Sequence, residues 1–187
     1  MELKILWKIV FLYKVIFMII HNLEESNSIL NQFIAEIRDT TIQKDSMRFR
    51  RNIERIGEVL SYELSKTLTF QAKNVQTPLG VKEAVVLQDK LVLCSILRAG
   101  FPLHQGLLNY FDNAENAFVS AYRHHPNGSD DFEVIVNYLA SPSIENKTLL
   151  LADPMLATGQ SLVAVYEAIK KQGTPKEIHI VAVIGSQ

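Results

Sequence analysis

Apolar positions recur every three or four residues through the first third of the chain, which is the spacing of one helix face. The pattern covers residues 22–68 and is interrupted at residues 39–41. It therefore predicts an N-terminal helical segment made of two consecutive amphipathic helices.

Further along the chain, short apolar runs alternate with helical patterns. Continuous or alternating apolar runs predict strands at residues 85–87, 91–97, 117–123, 132–138, 148–152 and 178–184. Helices are predicted at residues 102–111 and 161–172, and His-Pro-Asn-Gly at residues 125–128 is typical of a hairpin turn. Strands alternating with helices predict an α/β fold, a parallel sheet flanked by helices, with a β-hairpin flap.

The first residues of the chain fit neither a membrane span nor a secretion signal. Residues 3–20 are mostly apolar, but Lys4, Lys8 and Lys14 interrupt them. A transmembrane helix needs about 20 predominantly apolar residues, and no small-residue cleavage site follows. We therefore expect residues 1–17 to be an apolar extension upstream of a true start at Met18.

Composition narrows the class of protein. The 187 residues include 19 Lys or Arg and 20 Asp or Glu, a net charge of −1 without a basic run. A nucleic-acid partner or a membrane partner is therefore not expected. Cys94 is the single cysteine, which suits a cytoplasmic location. Its place in an apolar strand predicts a buried thiol rather than a nucleophile.

The most informative stretch is residues 149–161. An apolar strand ends at Asp153, a turn of small residues with Thr158 and Gly159 follows, and a helix begins near Ser161. We name residues 153–161 the cradle loop, because a strand–loop–helix junction presents backbone N–H groups and the positive end of a helix dipole to an anion. The sequence therefore predicts phosphate binding here, with a purely structural turn as the alternative.

Two arginines also follow predicted strands. Arg98 precedes Ala99 and Gly100, whose small size allows a ligand to approach, and a guanidinium group matches phosphate oxygens. A structural ion pair is the alternative for Arg98. Arg123 is predicted to lie on the flap, where it would close over a diphosphate. Because the strands are predicted to be parallel, these arginines and Asp153 should meet at one sheet edge.

Three segments resemble the uracil phosphoribosyltransferases, a family of type I phosphoribosyltransferases. They are residues 96–100 (Ile-Leu-Arg-Ala-Gly), residues 122–123 (Tyr-Arg) and residues 153–159 (Asp-Pro-Met-Leu-Ala-Thr-Gly). Most phosphoribosyltransferases carry two adjacent acids at the head of the last segment. The single acid followed by proline is similar to the uracil enzymes in particular.

The resemblance implies transfer of phosphoribose from 5-phosphoribosyl 1-diphosphate to N1 of uracil, giving UMP and diphosphate. Asp153 would bind the ribose hydroxyls and favour an oxocarbenium-like ribose. Arg98 and Arg123 would stabilise the departing diphosphate together with Mg²⁺, which the diphosphate rather than protein side chains would hold. A homodimer or tetramer and a cis peptide bond beside Arg98 are also implied. The implied contacts to the diphosphate sugar are Arg98, Ala99, Gly100, Arg123, Asp153, Pro154, Met155, Leu156, Ala157, Thr158, Gly159, Gln160 and Ser161.

Two features depart from the family pattern. Gln160 stands where the family usually has a small residue, so a positive φ at this position would be costly. The glycine-rich segment with which other members recognise uracil does not occur within residues 1–187, so no uracil ligand is named. We expect the phosphoribosyltransferase domain, residues 18–187, to be C-terminally incomplete.

These departures leave two alternatives to a complete enzyme. One is a non-catalytic paralogue or subunit that binds 5-phosphoribosyl 1-diphosphate and lacks the uracil site. The other is a pyrimidine-responsive RNA-binding regulator, which the near-neutral charge argues against.

Overall fold

The structure is a computed structural model that describes residues 6–12, 15–124 and 133–185. The helices are α1 (Ile29–Arg38), α2 (Ser46–Ser65), α3 (Phe101–Leu108) and α4 (Gln160–Ile169). The strands are β1 (Leu6–Leu12), β2 (Val15–His21), β3 (Phe70–Thr77), β4 (Gly80–Leu87), β5 (Leu91–Leu97), β6 (Glu115–His124), β7 (Glu133–Ala140), β8 (Thr148–Ala152), β9 (Met155–Leu156), β10 (Glu177–Val181) and β11 (Ile184–Gly185). These elements confirm the predicted α/β class.

The two N-terminal helices begin at capping side chains. Ser28 and Asp45 accept hydrogen bonds from backbone N–H groups in the first turns of α1 and α2, at 3.2 and 3.0 Å. Between the helices, the side chain of Asp39 accepts bonds from the N–H groups of Thr41 and Ile42, at 2.8 and 2.9 Å. These local bonds satisfy donors that a helix end leaves open, and they confirm the predicted break.

The central sheet has seven strands in the order β2-β1-β10-β8-β5-β6-β7. The four strands β10, β8, β5 and β6 are parallel, whereas the outer pairs are antiparallel. The carboxyl ends of β8, β5 and β6 therefore lie side by side at one edge, with β5 in the middle.

Both faces of the parallel strands are covered, as predicted. Successive side chains of β5 alternate between faces. Leu91 and Leu93 pack in the core beneath α1, α2 and α3, while Val92 and Cys94 pack beneath α4. Burial raises the pKa of the Cys94 thiol to about 12, and this confirms the predicted buried thiol.

Helices α2 and α3 approach each other through glycines. A Cβ on Gly106 would lie 2.0 Å from the carbonyl oxygen of Glu54, and one on Gly57 would lie 2.8 Å from that of Leu103. Only hydrogen fits at these positions, so the close approach fixes where α3 lies on the sheet. The position of α3 matters because its first turn follows Arg98.

The N-terminal strands β1 and β2 form an antiparallel hairpin that extends the sheet beyond β10. Residues 6–9 of β1 pair with residues 178–181 of β10. The sequence pattern does not predict these strands, because lysines divide a run without alternation into short pieces. The expectation that residues 1–17 precede the true start stays a prediction.

Strands β3 and β4 pair only with each other. They form an antiparallel hairpin whose turn contains Pro78 and Leu79. The sequence pattern predicts only residues 85–87 as a strand, which is too short. Most residues of this hairpin are exposed on both faces, so the rest of it shows no alternation of apolar and polar positions.

The last predicted strand, residues 178–184, is divided in the structure. The chain leaves the central sheet after Val181, and β11 pairs instead with β9 in a second small sheet. The predicted flap is present as the antiparallel pair β6 and β7, whereas its turn at residues 125–128 lies outside the described residues. In the described ranges, the helices are too short or too polar to span a membrane.

Candidate active site

Three predicted site residues lie at the carboxyl edge of the parallel strands. Arg98 directly follows β5, Asp153 directly follows β8, and Arg123 is the last residue but one of β6. Because β5 pairs with both β6 and β8, the backbone brings the three positions to adjacent strand ends. This edge is where ligands bind to open parallel sheets.

The cradle loop borders a small hollow, open to solvent, between β8 and α4. Asp153 and residues 155–162 line it. Gly159 is the N-cap of α4 and has a left-handed backbone with φ of +76°. This conformation turns the chain sharply, so that the loop faces the first turn of the helix.

Backbone bonds hold the cradle loop against the sheet. The N–H of Asp153 donates to the carbonyl of Val181 at 3.0 Å, and the carbonyl of Pro154 accepts from the N–H groups of Val183 and Ile184 at 3.1 and 2.9 Å. The pairing of β9 with β11 continues this contact. The loop is therefore anchored along its first half, and its second half is set by the start of α4.

The electrostatics of the cradle loop favour an anion. No side chain caps α4, and its first turn contains no acidic residue. The first N–H groups of α4 have no partner within the helix, and they lie at the positive end of the helix dipole. A phosphate group placed there would receive several backbone hydrogen bonds. The arrangement supports the predicted phosphate site.

Gln160 lies at the first position of α4 with ordinary helical backbone. In the described part of the chain, Asn146 is the only residue other than glycine with a positive φ. The positive φ of the loop falls on Gly159, so a glutamine at position 160 causes no backbone strain. Its main-chain N–H donates to Thr158 Oγ1 at 3.5 Å.

The loop that carries Arg98 is tightly folded. The peptide bond between Leu97 and Arg98 is cis, as the resemblance implied. The N–H of Gly100 donates to the carbonyl of Ile96 at 2.9 Å, and a Cβ on Gly100 would lie 2.5 Å from that carbonyl oxygen. Glycine is therefore required at position 100 for the loop to keep this shape.

Arg98 is exposed at the edge of the site. Among the residues that the structure describes, it forms no ion pair with a carboxylate. The ligand-binding role of Arg98 stays a prediction. For Arg123, the structure gives the position of the backbone near the end of β6.

Comparisons with known proteins agree with this site. A family model described as uracil phosphoribosyltransferase matches residues 24–187. A protein of Porphyromonas gingivalis named uracil phosphoribosyltransferase is 54% identical over 169 residues, which cover 90% of this chain and 77% of that protein. The chain belongs to the uracil phosphoribosyltransferase family. A uracil phosphoribosyltransferase of Pyrococcus furiosus is 35% identical over 89% of this chain and 71% of its own length.

Two solved structures are similar in fold to this uracil phosphoribosyltransferase family member. The AQ2163 protein of Aquifex aeolicus has a TM-score of 0.70 at 28% identity, over 82% of this chain and 71% of that one. A purine phosphoribosyltransferase of Pyrococcus horikoshii has a TM-score of 0.51 at 15% identity, over 70% and 71% of the two chains, and supports the fold alone. The family resemblance and the fold class are confirmed.

The histidines in the described residues lie outside the cradle loop. His179 is buried on β10, with its Nε2 3.5 Å from a carboxylate oxygen of Glu177. His104 is buried on α3. In the ranges that the structure describes, no three His, Cys, Asp or Glu side chains are grouped so that they would hold a metal ion.

Sequence reasoning missed one polar contact that begins on β5, the strand that leads to Arg98. Ser95, His104 and Asn116 form a chain of side-chain hydrogen bonds, buried at Ser95 and His104, that begins on β5 three residues before Arg98. A signal was present, because Ser95 is the one polar side chain of an otherwise apolar strand and His104 lies on an apolar helix. The link between them depends on how α3 packs on β5 and β6, which the sequence pattern does not give.

Proposed function

We propose that this chain transfers phosphoribose from 5-phosphoribosyl 1-diphosphate to uracil, as a member of the uracil phosphoribosyltransferase family. The observation that carries the proposal is the pair of adjacent loops at the carboxyl ends of β8 and β5. One loop has the geometry of a phosphate site, and the other presents an exposed arginine. Nothing in the described residues favours a non-catalytic binding protein or an RNA-binding regulator.

The cradle loop would hold the 5′-phosphate of the donor through its backbone. The N–H groups at the start of α4 supply the donors, and the helix dipole adds favourable electrostatics of about 0.3–1 kcal/mol. Asp153 lies on the rim of the same hollow, where its carboxylate would accept hydrogen bonds from ribose hydroxyls. Its negative charge would also favour the positive charge that develops on the ribose ring.

Arg98 and Arg123 would bind the diphosphate that leaves. In the reaction, the bond from ribose C1′ to diphosphate oxygen breaks and the bond to uracil N1 forms, while the N1 proton is released. A guanidinium group binds phosphate oxygens with paired hydrogen bonds, and each bond to a charged group contributes about 1.5–3 kcal/mol. Because the attacking group is uracil itself, no protein nucleophile is required.

The donor set of the site fits a magnesium ion that is bound with the diphosphate. Mg²⁺ prefers oxygen ligands and is usually held by one or two carboxylates together with substrate phosphates. We expect the phosphates to hold this ion, while Asp153, the carboxylate that lines the cradle hollow, contacts the ribose; its Oδ1 already accepts the N–H of Met155 at 3.3 Å. Bound Mg²⁺ would neutralise charge on the departing diphosphate.

The predicted homodimer or tetramer has support in the hairpin of β3 and β4. An isolated two-stranded hairpin is marginally stable in water. This hairpin nevertheless exposes apolar side chains, including Leu79 at its turn and Val81 and Val85 on β4, which are 101%, 66% and 72% exposed. We propose that a second copy of the chain covers them. Sedimentation of Val85→Lys should then show a smaller species than the parent chain.

A cytoplasmic location also stays a prediction, resting on the single cysteine.

Two measurements on the 187-residue chain test the proposed function. Calorimetric titration with 5-phosphoribosyl 1-diphosphate and Mg²⁺ should show binding to the parent chain. Incubation with radiolabelled uracil should then yield UMP and diphosphate in equal amounts, with hypoxanthine and orotate as control bases. If the chain binds the donor but forms no UMP, its function is donor binding without transfer. If the chain does not bind the donor, the proposed role of the cradle loop is refuted.

A further inference from the structure

A chain of three hydrogen-bonded polar side chains connects β5, α3 and β6, buried at Ser95 and His104 and reaching the surface at Asn116. Ser95 Oγ lies 2.8 Å from His104 Nδ1, and His104 Nε2 lies 2.7 Å from Asn116 Oδ1. Ser95 and His104 are 0% and 3% exposed, so water does not replace the bond between them, whereas Asn116 is exposed. The imidazole ring also packs on Phe118, with ring centroids 4.5 Å apart.

The direction of each of these hydrogen bonds follows from the contacts of Asn116. Asn116 Nδ2 donates to the carbonyl oxygen of Ala114 at 3.3 Å, so its Oδ1 is the atom that faces His104. His104 Nε2 must therefore carry the hydrogen, which leaves Nδ1 as an acceptor for the Ser95 hydroxyl. Burial lowers the pKa of His104, which favours this neutral form. Every polar atom of the imidazole is thus used in one fixed arrangement.

The hydrogen bond between Ser95 and His104 connects the two ends of the segment that contains Arg98. Ser95 precedes Arg98 by three residues on β5, and His104 follows it on α3. Within the segment, the N–H of His104 donates to the carbonyl of Gly100 at 2.9 Å. The side-chain bond between Ser95 and His104 joins the strand that enters the loop to the helix that leaves it. A shift of α3 relative to β5 would therefore move Arg98.

We propose that His104 is a positioning residue that holds the Arg98 loop (residues 98–100) in the geometry needed to bind the diphosphate of the donor. The proposal rests on the proposed function, since it assigns to His104 an effect on donor binding. Packing alone would be served by an apolar side chain at this site, because the surrounding core is apolar. A polar chain instead fixes one angle between helix and strands, since buried hydrogen bonds are directional and costly to leave unmade.

Two amide substitutions at position 104 test the two side-chain hydrogen bonds of His104 separately. An asparagine at position 104 places a polar atom near the location of Nδ1, so His104→Asn should keep the bond to Ser95. A glutamine reaches nearer to the location of Nε2, so His104→Gln should keep the bond to Asn116. His104→Leu removes both bonds, and Ser95→Ala removes the bond to β5 with the smallest change in volume. His179→Gln is the matched control, because it replaces a buried histidine on β10, which does not pair with β5.

The readout is the Kd for 5-phosphoribosyl 1-diphosphate with Mg²⁺ by calorimetry, together with the thermal midpoint of each variant. Misplacement of a binding group by about 1 Å costs up to about 100-fold in efficiency, so we expect His104→Leu and Ser95→Ala to raise this Kd roughly 10-fold or more. His104→Asn should recover most of the affinity, and His104→Gln should recover less. His179→Gln should lower the thermal midpoint and leave the Kd unchanged.

The outcomes separate the two proposals. If the parent chain binds no donor, the proposed function fails. If the parent binds and Ser95→Ala and His104→Leu both bind equally well, while their thermal midpoints fall as in the control, His104 is structural only and the inference is overturned. If His104→Leu does not fold, Ser95→Ala decides the matter alone, because it deletes a single hydroxyl. A weakened Kd for Ser95→Ala with an unchanged Kd for the control supports the inference.

Discussion

Replacing Gly159 by alanine should weaken donor binding through the backbone alone. Gly159 has φ of +76°, a conformation that side chains other than glycine adopt at a cost. A Cβ at this position would have its nearest neighbour, Leu156 Cδ1, at 3.9 Å, which is an ordinary contact. The substitution therefore introduces no clash, and its effect comes from backbone strain.

The strain sets the size of the effect. A left-handed conformation costs a residue with a Cβ about 1–2 kcal/mol. If the cradle loop is rigid, this strain appears as lost stability and lowers the thermal midpoint by roughly 2–8 °C. If the loop relaxes, the donor must restore the original shape, and its affinity falls by about 5- to 30-fold. The losses in stability and in binding should together amount to about 1–2 kcal/mol.

The assay combines calorimetric titration of 5-phosphoribosyl 1-diphosphate with chemical denaturation of the same samples. Gly159→Asn is the graded variant, because asparagine enters left-handed backbone more easily than alanine, and its total loss should be smaller. Gly80→Ala is the control. Gly80 has φ of +130° in the exposed hairpin, and no atom lies within 4 Å of the point that a Cβ would occupy, so this variant should lose stability and bind the donor normally.

The reasoning is refuted if Gly159→Ala changes neither affinity nor stability beyond error. It is also refuted if Gly80→Ala weakens donor binding as much as Gly159→Ala, because the effect would then be a general loss of folded protein. Equal losses for alanine and asparagine at position 159 would show that the side chain, and not the backbone angle, is responsible.

Three further predictions concern other parts of the molecule. Asp153→Asn should lower UMP formation about 100-fold or more and leave the thermal midpoint near that of the parent, since the amide keeps the Oδ1 acceptor. Gly106→Ala should reduce the free energy of unfolding in urea by about 1–3 kcal/mol, because its Cβ would meet the backbone of Glu54. The free energy of unfolding should also fall between pH 7 and pH 5 less in His104→Gln than in the parent. Burial lowers the pKa of His104 below its ordinary value of 6.5, so the unfolded chain takes up the proton first as the pH falls.

The buried strands were predictable because unbroken apolar runs of their length are typical of parallel strands that are covered on both faces. Strand β8 lies at residues 148–152, as predicted, and β5 at residues 91–97. The hairpin of β3 and β4 was largely missed, because strands exposed on both faces show no periodic burial. The division of the last strand was also missed, since the apolar pattern continues unchanged while the chain moves from one sheet to another.

The position of the candidate site followed from topology. Arg98, Arg123 and Asp153 each lie near the end of a predicted strand, and parallel order brings such ends together. The buried contact of Ser95 with His104 could not be predicted in the same way. It depends on the rotation of α3 about its axis, which the glycine contact between α2 and α3 fixes, and this contact joins residues far apart in the sequence.

The cradle loop explains how a family member can differ at position 160 and keep its phosphate site. In the proposed function, the phosphate is held by main-chain N–H groups, so the loop needs a conformation and not a particular set of side chains. Gly159 alone supplies the left-handed turn, and Gln160 is already helical. Selection for donor binding should therefore act strongly on Gly159 and weakly on Gln160. Replacing Gln160 by glycine should then leave the Kd for the donor unchanged, even though it restores the usual residue of the family.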